Sequence, residues 1–121
     1  MTDNTLIDLY TNDLIIEHGH ELSTQTREAI VNYLIRGWHP GGFLTAMLAG
    51  DLFSAVNSAD TVNCRMMCAI GKFIMHHLPA ACWGSRDSVS VWCNDKNGIR
   101  AEYVTDLEKA YMWKVLQESK Q

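Results

Sequence analysis

The chain is interrupted at short intervals by residues that stop or start helices. This punctuation limits most of its segments to lengths that only tertiary packing can stabilise, because isolated helices under about 12–15 residues are marginal in water. The densest stretch runs from Trp38-His39-Pro40-Gly41-Gly42-Phe43 through Gly50-Asp51 to Ala59-Asp60. Cys82-Trp83-Gly84-Ser85 echoes it downstream. Proline removes an amide donor and keeps the residue before it out of the helical region. Glycine supplies left-handed turns, and Asp, Ser and Thr accept the free amides of a helix start.

Between the breakers, apolar residues recur at helical spacing. Residues 4–18 read as a helix with Leu6, Leu9, Tyr10 and Leu14 on one side and Gly19 as its stop. Ser23 or Thr24 caps the next, whose apolar face is Ala29, Ile30, Tyr33 and Leu34; Gly37 ends it and leaves Arg36 in its last turn. Phe43 to Ala49 is apolar nearly all round, so it should be buried. Asp51 then caps a second short helix expected to point Leu52, Phe53, Val56 and Ala59 inward. Asp60 or Thr61 opens a long helix to about Leu78, with a buried stripe of Val62, Met66, Ile70, Phe73, Ile74 and His77. Residues 86–93 favour helix, carrying Val89, Trp92 and Cys93. Asn97-Gly98 suits a hairpin turn and allows a short extended segment at 99–104. Thr105-x-x-Glu108 forms a capping box for a helix from 106 to about 118. The sum is an all-α bundle of six or seven helices, two of them very short, in one domain spanning 1–121.

Composition excludes several classes. A 47% hydrophobic and 20% charged chain is globular, not disordered. A net charge of −4 argues against a duplex nucleic-acid binder. No apolar run approaches the ~18–20 residues that span a bilayer. The acidic start, with Asp3, Asp8 and Asp13, lacks the basic flank of a secretory signal. These features point to a cytosolic protein. In that reducing setting Cys64, Cys68, Cys82 and Cys93 read as buried free thiols. Cys64 and Cys68 share a helix face, which leaves a metal half-site open as the alternative, with His18, His20, His76 and His77 as further ligands. Paired C-x-x-C knuckles are missing, so the expectation is a protein without metal or other cofactor.

Candidate binding residues cluster beside the glycine junctions. Gly41-Gly42 precede free helix amides that suit an anion; the competing reading is a tight turn. Arg36 and Arg65 offer bidentate guanidinium forks to a phosphate, or else pair with Asp51 or Asp60. Trp38 and Trp83 sit in loops where an indole stacks on a base or plugs the core. Ser85 joins this ligand-facing set. His76-His77, Cys82 and Ser85 offer a nucleophile and a base, yet nothing around them resembles a nucleophile elbow, so no catalytic residue is assigned.

Residues 29–93 resemble a widespread family of small bacteriophage proteins. The shared pattern is Arg36-Gly37, Pro40-Gly41-Gly42-Phe43-Leu44, Ala46, Leu48, Asp51-Leu52, Ala55, Ala59-Asp60, Asn63, Arg65, Pro79, Cys82-Trp83-Gly84-Ser85 and Trp92. It departs where Cys64 separates Asn63 from Arg65 and where Gly50 precedes Asp51. Residues 1–25 and 94–121 lie outside the pattern as additional terminal helices. The resemblance implies phage infection as the context and carries no established chemistry. It implies a non-catalytic accessory protein in the host cytoplasm that counters host defence or redirects a host process. Its partner would be an anionic nucleotide signal, held by Arg36, Gly41, Gly42, Arg65 and Trp83, or a host protein that it inhibits directly. A small metal-dependent enzyme and a homo-oligomer remain open alternatives.

Overall fold

The computed structural model describes residues 5–10, 22–95 and 97–119, leaving out the side chains of 115, 118 and 119. All regular structure in them is helical. Residues 5–10 form α1. Then follow α2 (Thr24–Arg36), α3 (Gly42–Ala49), α4 (Leu52–Ser58) and α5 (Thr61–His77). A single 3-10 turn at Ala80–Cys82 leads to α6 (Arg86–Asn94) and α7 (Ile99–Ser119). The all-α bundle expected from the punctuation is the fold. The expected continuation of the first helix to residue 18, and its stop at Gly19, lie outside the described residues.

Most boundaries fall where caps and breakers place them. Ser23, Asp51, Asp60 and Ser85 each accept an amide of the first turn of α2, α4, α5 and α6. Gly37 and Gly50 are left-handed, with φ of 69° and 75°, and close α2 and α3 by the same device. In each, the glycine amide and the next one return to the last turn: Gly37 to Tyr33 and Trp38 to Asn32, Gly50 to Met47 and Asp51 to Ala46.

The core gathers Leu6 of α1, the Ile30–Ile35 face of α2, Leu44 and Leu48 of α3, Ile70, Phe73 and Ile74 of α5, and Val89 and Trp92 of α6. Two of its largest members carry polar atoms that need partners in the interior. The Tyr33 hydroxyl donates to the Cys82 carbonyl at 2.7 Å. The Trp92 indole donates to the Tyr33 carbonyl at 3.1 Å.

Three expectations need correction. The extended segment at 99–104 is helical, and α7 is one helix from Ile99. Asp95, left-handed at φ 52°, turns its carboxylate onto the amides of Arg100 and Ala101 at 2.9 and 3.3 Å. Asn97-Gly98 therefore turns between two helices, and the amides that a strand would have had to pair elsewhere are satisfied locally. Thr105 lies inside α7, where its hydroxyl donates to the Ala101 carbonyl at 2.9 Å, so the capping box is not used.

The second correction concerns α4. Leu52, Phe53 and Val56 are 61%, 86% and 51% exposed, while Ala55 is the residue buried. Asp51 both caps this helix and bonds Arg86, which fixes the rotation of a seven-residue rod. The small Ala55 then lets it approach the bundle closely. The third concerns α5, whose buried residues are Ile70, Phe73 and Ile74; Val62 and His77, at the two ends of the expected stripe, are exposed.

Arg100 makes the contact that the sequence conceals. Its guanidinium donates to the carbonyls of Trp92 (3.0 Å), Ile35 (3.3 Å) and Cys93 (3.4 Å). A cation in the first turn of a helix opposes the helix's own dipole, and here the charge is spent on the carbonyl ends of α2 and α6 instead. A Cβ on Gly37 would stand 2.6 Å from the Arg100 Cζ. Gly37→Ala should thus destabilise the protein by at least about 1–2 kcal/mol from the left-handed backbone alone. Gly42→Ala meets open space without a positive φ and should be neutral or stabilising by up to about 1 kcal/mol. Urea denaturation of the two variants checks the contrast; equal effects would contradict it.

Candidate functional site

The helix starts of α2, α3 and α5 converge on one cleft of about 360 Å³. Ser23 and Thr26 come from the first, Gly41 to Leu44 from the second, and Asp60, Val62 and Asn63 from the third. Two of these starts are sealed by their own side chains. Ser23 Oγ accepts the Thr26 amide at 3.2 Å, and Asp60 accepts the Asn63 amide at 2.7 Å. The start of α3 carries no side-chain cap. Gly41, its N-cap, adopts φ 91°, and its amide donates to His39 Nδ1 at 3.1 Å. The His39 Nε2 lies 3.4 Å from Thr45 Oγ1, so one imidazole braces both sides of the Pro40-Gly41 turn.

The other residues expected to bind a ligand are placed elsewhere. Arg36 is the last residue of α2 and does not line the cleft, which meets that helix at Gln25, Thr26 and Ala29. The Arg36 guanidinium lies over the Trp38 ring, 4.6 Å from its centroid. Trp38 is 55% exposed, so this stacked pair forms a surface feature. Arg65 is exposed on α5 and does not line the cleft. The structure thus brings Gly41 and Gly42 together in a cleft, and Arg36 together with Trp38, but does not join the two groups.

Trp83 and Ser85 hold the fold. The Trp83 indole donates to the Leu78 carbonyl at 3.3 Å. Gly84, at φ 111°, donates its amide to the Leu48 carbonyl at 2.7 Å. Ser85 caps α6 through the Ser88 amide at 3.1 Å. The echo between the two glycine-rich stretches is thus physical: Cys82-Trp83-Gly84-Ser85 seats the end of α3. Beside it Arg86 Nη2 meets Asp51 Oδ2 at 2.9 Å. The sequence allows Arg36 or Arg65 as a partner for Asp51 or Asp60. Arg86 takes that place because its helix starts beside the Gly50 turn. Its position directly after a Ser cap was the available signal.

The cysteines divide. All four are free; Cys82 is buried and Cys93 half-buried, but Cys64 and Cys68 are exposed, contrary to the buried thiols expected from compartment alone. Burial pushes the Cys82 thiol up to about 12, which leaves it protonated and a poor nucleophile at neutral pH. Among the described residues no group of three or more His, Cys, Asp or Glu side chains is placed to hold a metal ion. No described helix is long and apolar enough to cross a membrane. No family model, curated protein or solved structure matches the chain.

The Arg86 hydrogen bond, followed by those from Ser54, holds the Asp51 carboxyl below its ordinary value. A depressed folded value means that this stabilisation is complete above the unfolded carboxylate range and is lost as pH falls through the folded value. Asp51→Asn should therefore lower the melting temperature at neutral pH and flatten its decline on the acid side. Melting curves from pH 7 to pH 2 check this, and parallel curves for variant and parent would contradict it.

Proposed function

We propose that this chain is a non-catalytic bacteriophage accessory protein that acts by occupying a host protein through the outward face of α4. The observation that carries this reading is the exposure of Leu52, Phe53 and Val56 on one side of a seven-residue helix whose buried residue is Ala55. Fully burying a large apolar side chain contributes about 1.5–3 kcal/mol, so three in one patch offer a substantial fraction of a micromolar affinity. Large exposed apolar patches on soluble domains mark interaction sites. A hollow lined by Ala46, Met47, Gly50, Asp51 and Leu52 borders the patch and offers a partner side chain an apolar seat. The second half of α7 adds Met112, Trp113 and Leu116, each more than half exposed, as a second apolar surface. The resemblance of residues 29–93 to small phage proteins supplies the context of host defence and the host cytoplasm.

The test is affinity purification of the tagged protein from infected cells, followed by mass spectrometry. Phe53→Asp should abolish capture of the host protein while leaving the melting temperature nearly unchanged, because the ring is 86% exposed. Equal recovery by the variant would remove the α4 face from the account.

A second reading is favoured by the open start of α3. The cleft it shares with Gly41 and Gly42 would act as a sponge for an anionic nucleotide signal, phosphate being drawn to helix amides and dipole. Asp60 lines the same cleft, and among the described residues no Arg or Lys does, which is why this reading ranks second. Pro is favoured at the first helical position and lacks an amide hydrogen, so Gly42→Pro removes one anion donor without opposing the helix. On this reading, cyclic or linear nucleotides raise the melting temperature of the parent and not of Gly42→Pro. A flat response of the parent across the panel eliminates the sponge and leaves the host-protein reading standing.

A further inference from the structure

The solvent side of α5 carries sulfur beside positive charge. Cys64, Arg65, Cys68, Lys72, Met75 and His76 are all exposed, and their spacing of three and four residues puts them on one helix face. Cysteine is among the residue types most often buried. Here two of the four stand in solvent one turn apart, on the same helix that buries Ile70, Phe73 and Ile74. Residues four apart hold their Cβ atoms about 5–6 Å from each other, a span that two sulfurs close around one ion.

We propose that Cys64 and Cys68 form a two-thiolate site for a soft, low-coordinate cation of the Cu(I) class. Thiolates select soft ions. A structural zinc site needs four ligands, and among the described residues no third His, Cys, Asp or Glu joins the pair. On binding, each thiol releases its proton to solvent and two S–Cu bonds form, with no change of oxidation state. The product, one monovalent cation between two thiolates, carries a single negative charge. Arg65, three residues before Cys68, and Lys72, four after it, flank that charge on the helix surface. The same cations oppose a four-sulfur site shared by two copies, because face-to-face α5 helices would bring four positive side chains together. The site is independent of the α4 patch and of the helix-start cleft.

The test is an anaerobic titration of the reduced, full-length protein with Cu(I) in the presence of a chromogenic bidentate competitor, with stoichiometry read by intact mass under native conditions. The expected result is one copper per monomer, falling to none in Cys64→Ser and in Cys68→Ser. Phenylarsine oxide, which bridges two thiols, should add once to the parent and not stably to either variant. Both positions are exposed, and unchanged far-ultraviolet circular dichroism of the variants separates loss of ligand from loss of fold. Copper left wholly with the competitor, copper retained undiminished by both serine variants, or one copper per dimer would each overturn the proposal.

Discussion

The carbonyl end of α2 is the point on which the other elements converge. Its Tyr33 carbonyl accepts both the Gly37 amide and the Trp92 indole. Two residues on, the Ile35 carbonyl accepts Arg100. The Tyr33 hydroxyl reaches the Cys82 carbonyl from the same residue. One helix end thus fixes the 3-10 turn, α6 and the start of α7. A buried polar group left unpaired costs about 1–3 kcal/mol, so these bonds select one arrangement from the many that apolar contact alone would tolerate. Arg100 completes the arrangement by satisfying carbonyls of α2 and α6 together. Gly37 is where that guanidinium lies against the backbone, which joins a local turn requirement to a long-range one.

That arrangement also separates the features available for binding. The helix starts meet at the cleft around Gly41 and Gly42, while Arg36 and Trp38 stack at the opposite end of α2. The Asp51–Arg86 pair ties the start of α4 to the start of α6 and leaves Leu52, Phe53 and Val56 outside. A helix of two turns has too little surface to choose its own face by burial. Its caps choose instead, and here they turn the largest side chains outward.

How far each feature was legible follows from the range of the interaction behind it. Ser23, Asp51, Asp60 and Ser85 cap helices within three residues of themselves, and Gly37 and Gly50 close helices within five, so residue type and spacing suffice. The Thr105 capping box failed because a competing start lay upstream. Asp95 reaches over Asn97-Gly98 to the amides of Arg100 and Ala101, and a helix already begun absorbs Thr105. Among the candidate site residues, the glycine pair lines a cleft because a helix start without a capping side chain is a local property. Trp83 and Ser85 spend their polar atoms on the Leu78 carbonyl and the Ser88 amide, local partners that hold the fold.

By itself, the sequence determined the all-α class, the starts of α2, α4, α5 and α6, and the glycine-closed ends of α2 and α3, because caps and breakers act through the backbone of their immediate neighbours. It did not determine which face of α4 is covered, which arginine meets Asp51, where Arg100 puts its charge, or that Cys64 and Cys68 stand in solvent. Those were decided by tertiary structure, because each depends on how a helix is turned against elements distant in sequence, up to sixty-five residues away for Arg100. Periodicity locates a stripe on a helix, and only the packed neighbours decide whether that stripe is covered.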